Sequence, residues 1–128
     1  MDSAVRLLVA DDDVDMLELL RRTLTREGFE VVPVSSGAEA LAILRRDSRF
    51  GLMISDARMP PMDLEQLLPA VREVAPDLKI IVISGYSELD GYLRHTREGA
   101  YAYVAKPFKI PDLLEVIDRA LGRSESAT

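Results

Sequence analysis

The chain has 128 residues, which suits one domain of ordinary size and leaves no room for two. Its apolar share of 48% is typical of a globular protein, and the lack of cysteine excludes a disulfide scaffold and a thiol nucleophile. The formal net charge of −6 argues against nucleic-acid binding by this domain, because that binding depends on a basic excess. Neither a membrane-length apolar run nor a signal peptide is evident, so we expect a cytoplasmic protein that does not contact membranes.

Short apolar runs alternate with amphipathic stretches along the chain. The runs at 5–10, 31–34, 52–54, 80–83 and 101–104 predict strands, and the last two enclose a weaker helical pattern. Apolar side chains at helical spacing predict helices around 16–24, 40–44, 64–75, 89–96 and 113–121. Because strand and helix alternate five times, we expect a mostly parallel sheet with helices on both faces.

Several residues mark the ends and edges of these elements. Pro33 lacks a backbone N–H, which predicts that the second strand lies at an edge of the sheet. Ser36 and Glu39 have the spacing of a capping box, and Pro111 suits the first turn of the last helix. We expect the domain to occupy residues 1–121, followed by a polar tail or linker at 122–128.

Polar residues follow four of the predicted strands, where an open α/β sheet binds its ligands. They are Asp11, Asp12 and Asp13 after the first strand, Ser55 and Asp56 after the third, Ser84 and Gly85 after the fourth, and Lys106 after the fifth. Each residue alone has a simpler explanation as a turn, cap or surface residue, and for Asp13 we prefer the explanation as a turn residue or helix cap. Their conjunction at four strand ends is a much stronger signal of a functional site.

The clustered carboxylates indicate a site for Mg²⁺ and phosphate. Asp11, Asp12 and Asp56 would repel one another unless a hard divalent cation lay between them. With Mg²⁺ bound and Lys106 nearby, the formal charges cancel, leaving a site ready for a phosphoryl group. Asp56 is then a candidate nucleophile, because carboxylates form aspartyl phosphates.

Four motifs resemble those of the receiver domain of bacterial two-component response regulators. They are Leu8-Val9-Ala10-Asp11-Asp12-Asp13, Ser55-Asp56-Ala57-Arg58-Met59-Pro60, Ile83-Ser84-Gly85-Tyr86 and Ala105-Lys106-Pro107-Phe108. The resemblance covers about residues 5–121, with the motifs in the family's order and spacing. It implies a flavodoxin-like (CheY-like), doubly wound, five-stranded parallel sheet of order 2-1-3-4-5.

The resemblance also implies roles for individual residues. Asp56 matches the phosphoacceptor, which takes its phosphoryl group from a phosphohistidine of a sensor kinase or phosphotransfer protein. Asp12 matches a direct Mg²⁺ ligand, Asp11 a ligand through water, and the backbone carbonyl of Arg58 a further ligand. Ser84 matches the hydroxyl that binds the phosphoryl group, and Lys106 matches the ammonium that pairs with it, before a peptide bond to Pro107 that is cis in many relatives.

A switch is implied as well, in which the ring of Tyr103 turns inward when Ser84 moves toward the phosphoryl group. The alternative is that Tyr103 is an ordinary strand aromatic, and Tyr101 shares its side of the strand by alternation. The surface formed by the fourth predicted helix, the fifth strand and the last helix would then change. By analogy it is the expected partner or homodimer surface, with any effector domain outside this chain.

The loop after Asp56 departs from the family pattern. Pro61 and Leu64 stand where relatives commonly have glycine, and Pro69 falls inside the third predicted helix. Because proline cannot adopt a left-handed conformation and weakens a helix interior, we expect a differently built loop and a late or distorted helix start near Leu68. Altered Mg²⁺ affinity would follow, since Arg58 lies just upstream.

Two other functions compete with the expectation of a signalling domain that is not an enzyme. Asp11-x-Asp13 after the first strand also fits the nucleophile motif of haloacid dehalogenase-like phosphatases, although the chain has no room for their usual cap. The other alternative is a receiver-like interaction module without phosphotransfer, which the altered loop after Asp56 would favour. A dinucleotide-binding domain is disfavoured because no Gly-x-Gly-x-x-Gly follows the first strand.

Overall fold

The computed structural model describes residues 4–85 and 100–123. Its elements are β1 (Arg6–Ala10), α1 (Val14–Arg26), β2 (Glu30–Val34), α2 (Gly37–Arg46), β3 (Leu52–Asp56), β4 (Arg58–Met59), β5 (Met62–Asp63), α3 (Leu64–Val74), β6 (Ile80–Ser84), β7 (Ala102–Ala105) and α4 (Ile110–Ala120). The helix predicted around residues 89–96 and most of the polar tail lie outside the described residues. Among the helices that are described, none is long and apolar enough to cross a membrane.

Five strands form one parallel sheet in the order β2-β1-β3-β6-β7. Counting only these five strands, this is the predicted order 2-1-3-4-5, so the flavodoxin-like fold is confirmed. Pro33 lies in the edge strand β2 opposite Val9, as its missing N–H requires. Every residue of β3 and of β6 is buried, because helices cover both faces at the centre of the sheet.

The core consists of two apolar layers, one on each face of the sheet. One layer packs β-strand residues such as Leu8 and Val82 against α2 and α3. The other packs residues such as Val9 and Ile83 against α1 and α4. Alternate residues of each strand thus enter opposite layers, which fixes the register of the strands and aligns their carboxyl ends.

Side chains cap most helix starts as the sequence indicates. The Ser36 hydroxyl accepts a hydrogen bond from the N–H of Glu39, whereas the Glu39 carboxylate accepts from the N–H of Ser35 rather than that of Ser36. Of the two hydrogen bonds in the predicted capping box, the one from Ser36 is present, and the one to Glu39 comes from the preceding residue. Pro111 lies in the first turn of α4, where a missing N–H costs nothing.

The connection from β3 to α3 corrects one expectation. The late helix start predicted near Leu68 is wrong: α3 begins at Leu64, because Asp63 and Gln66 form a complete capping box and Leu64 is buried in the core. β4 and β5 form a small antiparallel hairpin whose turn contains a cis Pro60–Pro61 bond, and within the described residues only glycines have positive φ.

Pro69 lies inside α3 on its exposed side. The helix therefore includes this proline instead of starting after it. Proline removes the N–H that would bond to the carbonyl of Glu65 and crowds that carbonyl. We predict that Pro69→Ala raises the free energy of unfolding by about 1–3 kcal/mol, measured by urea denaturation.

Pro76 provides the matched control because it occupies the second position of a turn closed by the hydrogen bond from Leu78 N–H to Ala75 carbonyl. There proline suits the backbone, so Pro76→Ala should lower stability slightly. A Pro69→Ala protein that is less stable than the parent would contradict this account of α3.

Candidate functional site

The carboxyl ends of the central strands bring three carboxylates together. Asp11 directly follows β1, Asp12 is next to it, and Asp56 ends the neighbouring strand β3. One oxygen from each of the three side chains lies within 4.8 Å of the others. Asp11 and Asp56 are buried and Asp12 is exposed, so the cluster opens to solvent on the Asp12 side. Residues predicted from two separate motifs thus form an acidic pocket suited to a metal ion.

Lys106 pairs directly with Asp56. Its Nζ lies 2.8 Å from Asp56 Oδ1, and the Asp56 side chain is only 9% exposed. Burial lowers the pKa of Lys106, but the hydrogen bond from its ammonium to Asp56 and the negative charges of Asp56 and Asp11 raise it more. Lys106 therefore keeps its positive charge beside Asp56.

Asp11 carries an unfavourable charge. Burial is the main cause that raises the pKa of this carboxyl, to about 6, and the charge of Asp56 adds to the effect. The backbone N–H of Asp13, which donates to Asp11 Oδ1 at 2.9 Å, and the charge of Lys106 act in the opposite direction without cancelling it. The folded pocket thus disfavours the charged form of Asp11, mainly through burial, and a bound cation would favour that form.

Asp13 caps a helix, which is one of the two simpler roles that the sequence left open for it. Its carboxylate accepts hydrogen bonds from the backbone N–H groups of Asp15 and Met16, which start α1. It therefore serves the helix terminus, while the neighbouring Asp11 and Asp12 face the pocket.

The hairpin after β3 reaches back to Asp56. The backbone N–H of Arg58 donates to Asp56 Oδ2 at 3.3 Å, while Oδ1 accepts from Lys106. The backbone of Ala57 continues the sheet, since its N–H donates to the carbonyl of Ile83. Asp56 is thus held from both sides at the point where the strand becomes the hairpin.

Ser84 ends β6 beside this point, because Asp56 pairs with the preceding residue, Ile83. Its hydroxyl is buried and donates to the carbonyl of Gly85 at 3.1 Å. The backbone N–H of Lys106 donates to the carbonyl of Ser84 at 2.7 Å, so the two residues are joined through the sheet. The peptide bond after Lys106 is cis, as the resemblance implies.

Tyr103 lies in β7 opposite Val82 and packs, partly buried, against the core layer shared with α2 and α3. Tyr101, by contrast, is one of the exposed large apolar residues, and its ring lies 5.3 Å from Lys79 Nζ. The switch role of Tyr103 stays a prediction. Tyr86, at the end of the third motif, lies outside the described residues.

Ser55 has a role that the sequence analysis did not assign. Its buried hydroxyl donates to the backbone carbonyl of Asp56 at 2.9 Å, where the chain leaves the sheet. In the sequence, the only signal was a serine directly after the apolar run at 52–54. The structure buries this serine completely, and a buried hydroxyl requires a hydrogen-bond partner.

Comparison with known proteins decides the family. A profile of the response regulator receiver domain matches residues 7–118. The chain belongs to this family. It is 38% identical over 122 residues to the transcriptional regulatory protein GlrR of Escherichia coli K12, covering 95% of this chain and 27% of the relative. It is 39% identical over 121 residues to the response regulator protein FleR of Pseudomonas aeruginosa, covering 94% of this chain and 25% of that relative.

Solved receiver structures agree with the fold. A CheY-like response regulator receiver domain protein from Methanospirillum hungatei JF-1 superposes with a TM-score of 0.85 and 32% identity, covering 98% of this chain and all of that one. A receiver domain protein from Clostridium thermocellum gives a TM-score of 0.86 at 28% identity, covering 97% and 99% of the two chains. The haloacid dehalogenase-like alternative is not favoured by the family match. Asp13, the second aspartate of the motif that suggested it, caps α1 instead.

The unfavourable charge of buried Asp11 leads to a stability prediction for the receiver domain. With its pKa at about 6 in the folded protein, Asp11 binds a proton more tightly than in the unfolded chain. The parent should therefore lose stability as the pH rises from the ordinary carboxyl range through 6. We predict that Asp11→Asn, which keeps the acceptor for the Asp13 N–H, raises the free energy of unfolding by about 1–3 kcal/mol at pH 7.5.

The measurement is urea denaturation with a chelator present, repeated down to pH 4, where most of the difference should be lost because Asp11 is then neutral in the folded protein. Glu73→Gln, which changes an exposed carboxylate near the C-terminal end of α3, is the control and should leave stability nearly unchanged. An Asp11→Asn gain that is absent or independent of pH would show that the charge of Asp11 does not destabilise the folded protein.

Proposed function

We propose that this receiver domain is phosphorylated on Asp56 by a sensor histidine kinase or a histidine phosphotransfer protein. The observation that carries the proposal is the setting of Asp56, whose carboxylate lies 2.8 Å from Lys106 Nζ and within 4.8 Å of the Asp11 and Asp12 oxygens. Family membership supports the same conclusion, because the matched residues include all four motifs.

The transfer step requires little covalent chemistry from the protein. A carboxylate oxygen of Asp56 forms a bond to phosphorus as the bond from phosphorus to the donor's imidazole nitrogen breaks, and the imidazole leaves with that electron pair. Asp56 suits this role because its negative charge is held by Lys106 and Arg58 N–H at fixed positions, so that little reorganisation precedes attack.

Mg²⁺ is the proposed cofactor, and the donor set fits it. Asp12, Asp56 and the backbone carbonyl of Arg58 would bind the ion directly, and Asp11 would bind it through water. When bound, the ion supplies positive charge to the oxygens of the incoming phosphoryl group. The carboxylates offer hard oxygen ligands, and a bound cation would favour the charged form of Asp11, which burial and the charge of Asp56 disfavour.

The response to phosphorylation would begin at Ser84 and Lys106. Lys106 exchanges its bond to Asp56 for one to a phosphoryl oxygen, and the Ser84 hydroxyl gives up the Gly85 carbonyl to donate to another. Tyr103 then turns inward and changes the surface that includes β7 and α4, a population shift limited by the difference in contact energy. This surface is the proposed site for a partner or a second copy of the chain.

The rest of the pathway extends beyond this domain. The chain spans about a quarter of the length of the curated relatives it matches, several of which are transcriptional regulators. We propose a cytoplasmic switch that is phosphorylated by its kinase and relays the signal to an effector, without being a turnover enzyme itself. An effector that binds DNA would reside in another domain, because this domain carries a net charge of −6.

Acetyl phosphate with Mg²⁺ tests the phosphoacceptor. We expect the parent to gain one phosphoryl group by intact-mass measurement, and Asp56→Asn to gain none because the nucleophile is gone. Asp13→Asn is the matched control on the same edge of the sheet: asparagine also caps helices, so this variant should be labelled like the parent. A parent that is never labelled, by acetyl phosphate or a cognate kinase, or an Asp56→Asn variant labelled equally, would refute the proposal.

A further inference from the structure

The hairpin of β4 and β5 lies between the phosphoacceptor and α3. It has only two residue pairs, Arg58 with Asp63 and Met59 with Met62, joined by an exposed turn of two prolines. A two-stranded hairpin of this length has no independent stability in water. Its position relative to the pocket must therefore come from the side chains that attach it to the rest of the domain.

Two methionines, one on each strand, make that attachment. Met59 is 2% exposed and belongs to the core layer under α2 and α3, whereas Met62 is half-buried and packs against the edge of the same layer. Pro60 and Pro61 in the turn are exposed, so their burial does not anchor the hairpin to the core. Met62 thus supports the outer strand of the hairpin, opposite the strand that carries Arg58.

Gly37 creates the space for Met62. This glycine is the first residue of α2 and is buried, and a Cβ placed on it would lie 3.0 Å from Met62 Sδ and 3.3 Å from Leu67 Cδ1. These distances are shorter than ordinary van der Waals contacts, so a Cβ at position 37 would shift Met62 by a few tenths of an ångström. The first turn of α2 is itself fixed by the Ser36 cap.

Met62 is connected to the acidic pocket through the backbone of the hairpin. Met62 pairs with Met59, which follows Arg58, and the Arg58 N–H donates to Asp56 Oδ2 at 3.3 Å. A displacement of the outer strand is passed through this short hairpin to the backbone of Arg58, which is the proposed source of the carbonyl ligand.

We propose that Met62 is a positioning residue for the divalent-cation site: seated against Gly37, it holds the backbone of Arg58 where its carbonyl serves as a ligand. The inference rests on the Mg²⁺ site of the proposed function and adds a support that none of the four motifs contains. Groups that orient metal ligands from behind commonly change metal affinity by 10-fold or more when they are removed.

The test is a titration of the chain with Mg²⁺ alone, followed by the NMR signals of backbone amides near the pocket. We expect Met62→Ala to weaken Mg²⁺ binding about 10-fold and Met62→Leu, which refills most of the space, to restore most of the affinity. Gly37→Ala, which displaces Met62 and keeps the helix, should also weaken binding, and it serves if Met62→Ala does not fold.

Val74→Ala is the matched control. Val74 is likewise half-buried against the same core layer, but it ends α3, away from the hairpin. It should lower stability to a similar extent while leaving Mg²⁺ affinity unchanged. Equal Mg²⁺ affinity in the parent, Met62→Ala and Gly37→Ala would overturn the positioning role alone, as would a Val74→Ala variant that loses affinity equally. A parent that binds no Mg²⁺ would overturn the cation site and this inference together.

Discussion

Repulsion among three carboxylates is the physical constraint on which this site depends. Asp11, Asp12 and Asp56 bring oxygens within 4.8 Å of one another, and Lys106 offsets only one of the three charges. Burial adds to the cost, because it is the main cause that raises the pKa of Asp11, and the charge of Asp56 raises it further. In the proposed function, a divalent cation would remove the excess charge, and a phosphoryl group on Asp56 would restore negative charge beside Lys106.

The fold imposes this constraint through strand order. Because β1, β3 and β6 are adjacent and parallel, the residues that follow them meet at one edge of the sheet. The apolar layers on both faces prevent any slip in register, since a shift of one residue would exchange the two layers. Packing energy from the core therefore holds together charges that would otherwise separate, and the same core supports the hairpin through Met59 and Met62.

Much of this arrangement follows from local sequence patterns. The buried runs predicted the five sheet strands, Pro33 predicted the edge, and the polar residues at strand ends predicted the acidic pocket and its lysine. The start of α3 could not be predicted in this way, because helix propensity counts the cost of Pro69 and not the burial of Leu64 or the cap that Asp63 and Gln66 complete. The Met62–Gly37 contact joins residues 25 positions apart, and only tertiary packing reveals it.

A crystal structure of the domain with Mg²⁺ and beryllofluoride, a stable mimic of the phosphoryl group, tests the central claim most directly. We expect the mimic to be bonded to a carboxylate oxygen of Asp56, with Mg²⁺ bound by Asp12, Asp56 and the Arg58 carbonyl. We also expect Lys106 Nζ to have moved from the carboxylate to the mimic. An ion bound elsewhere, or Lys106 still paired with an unmodified Asp56 at saturating ligand, would contradict it.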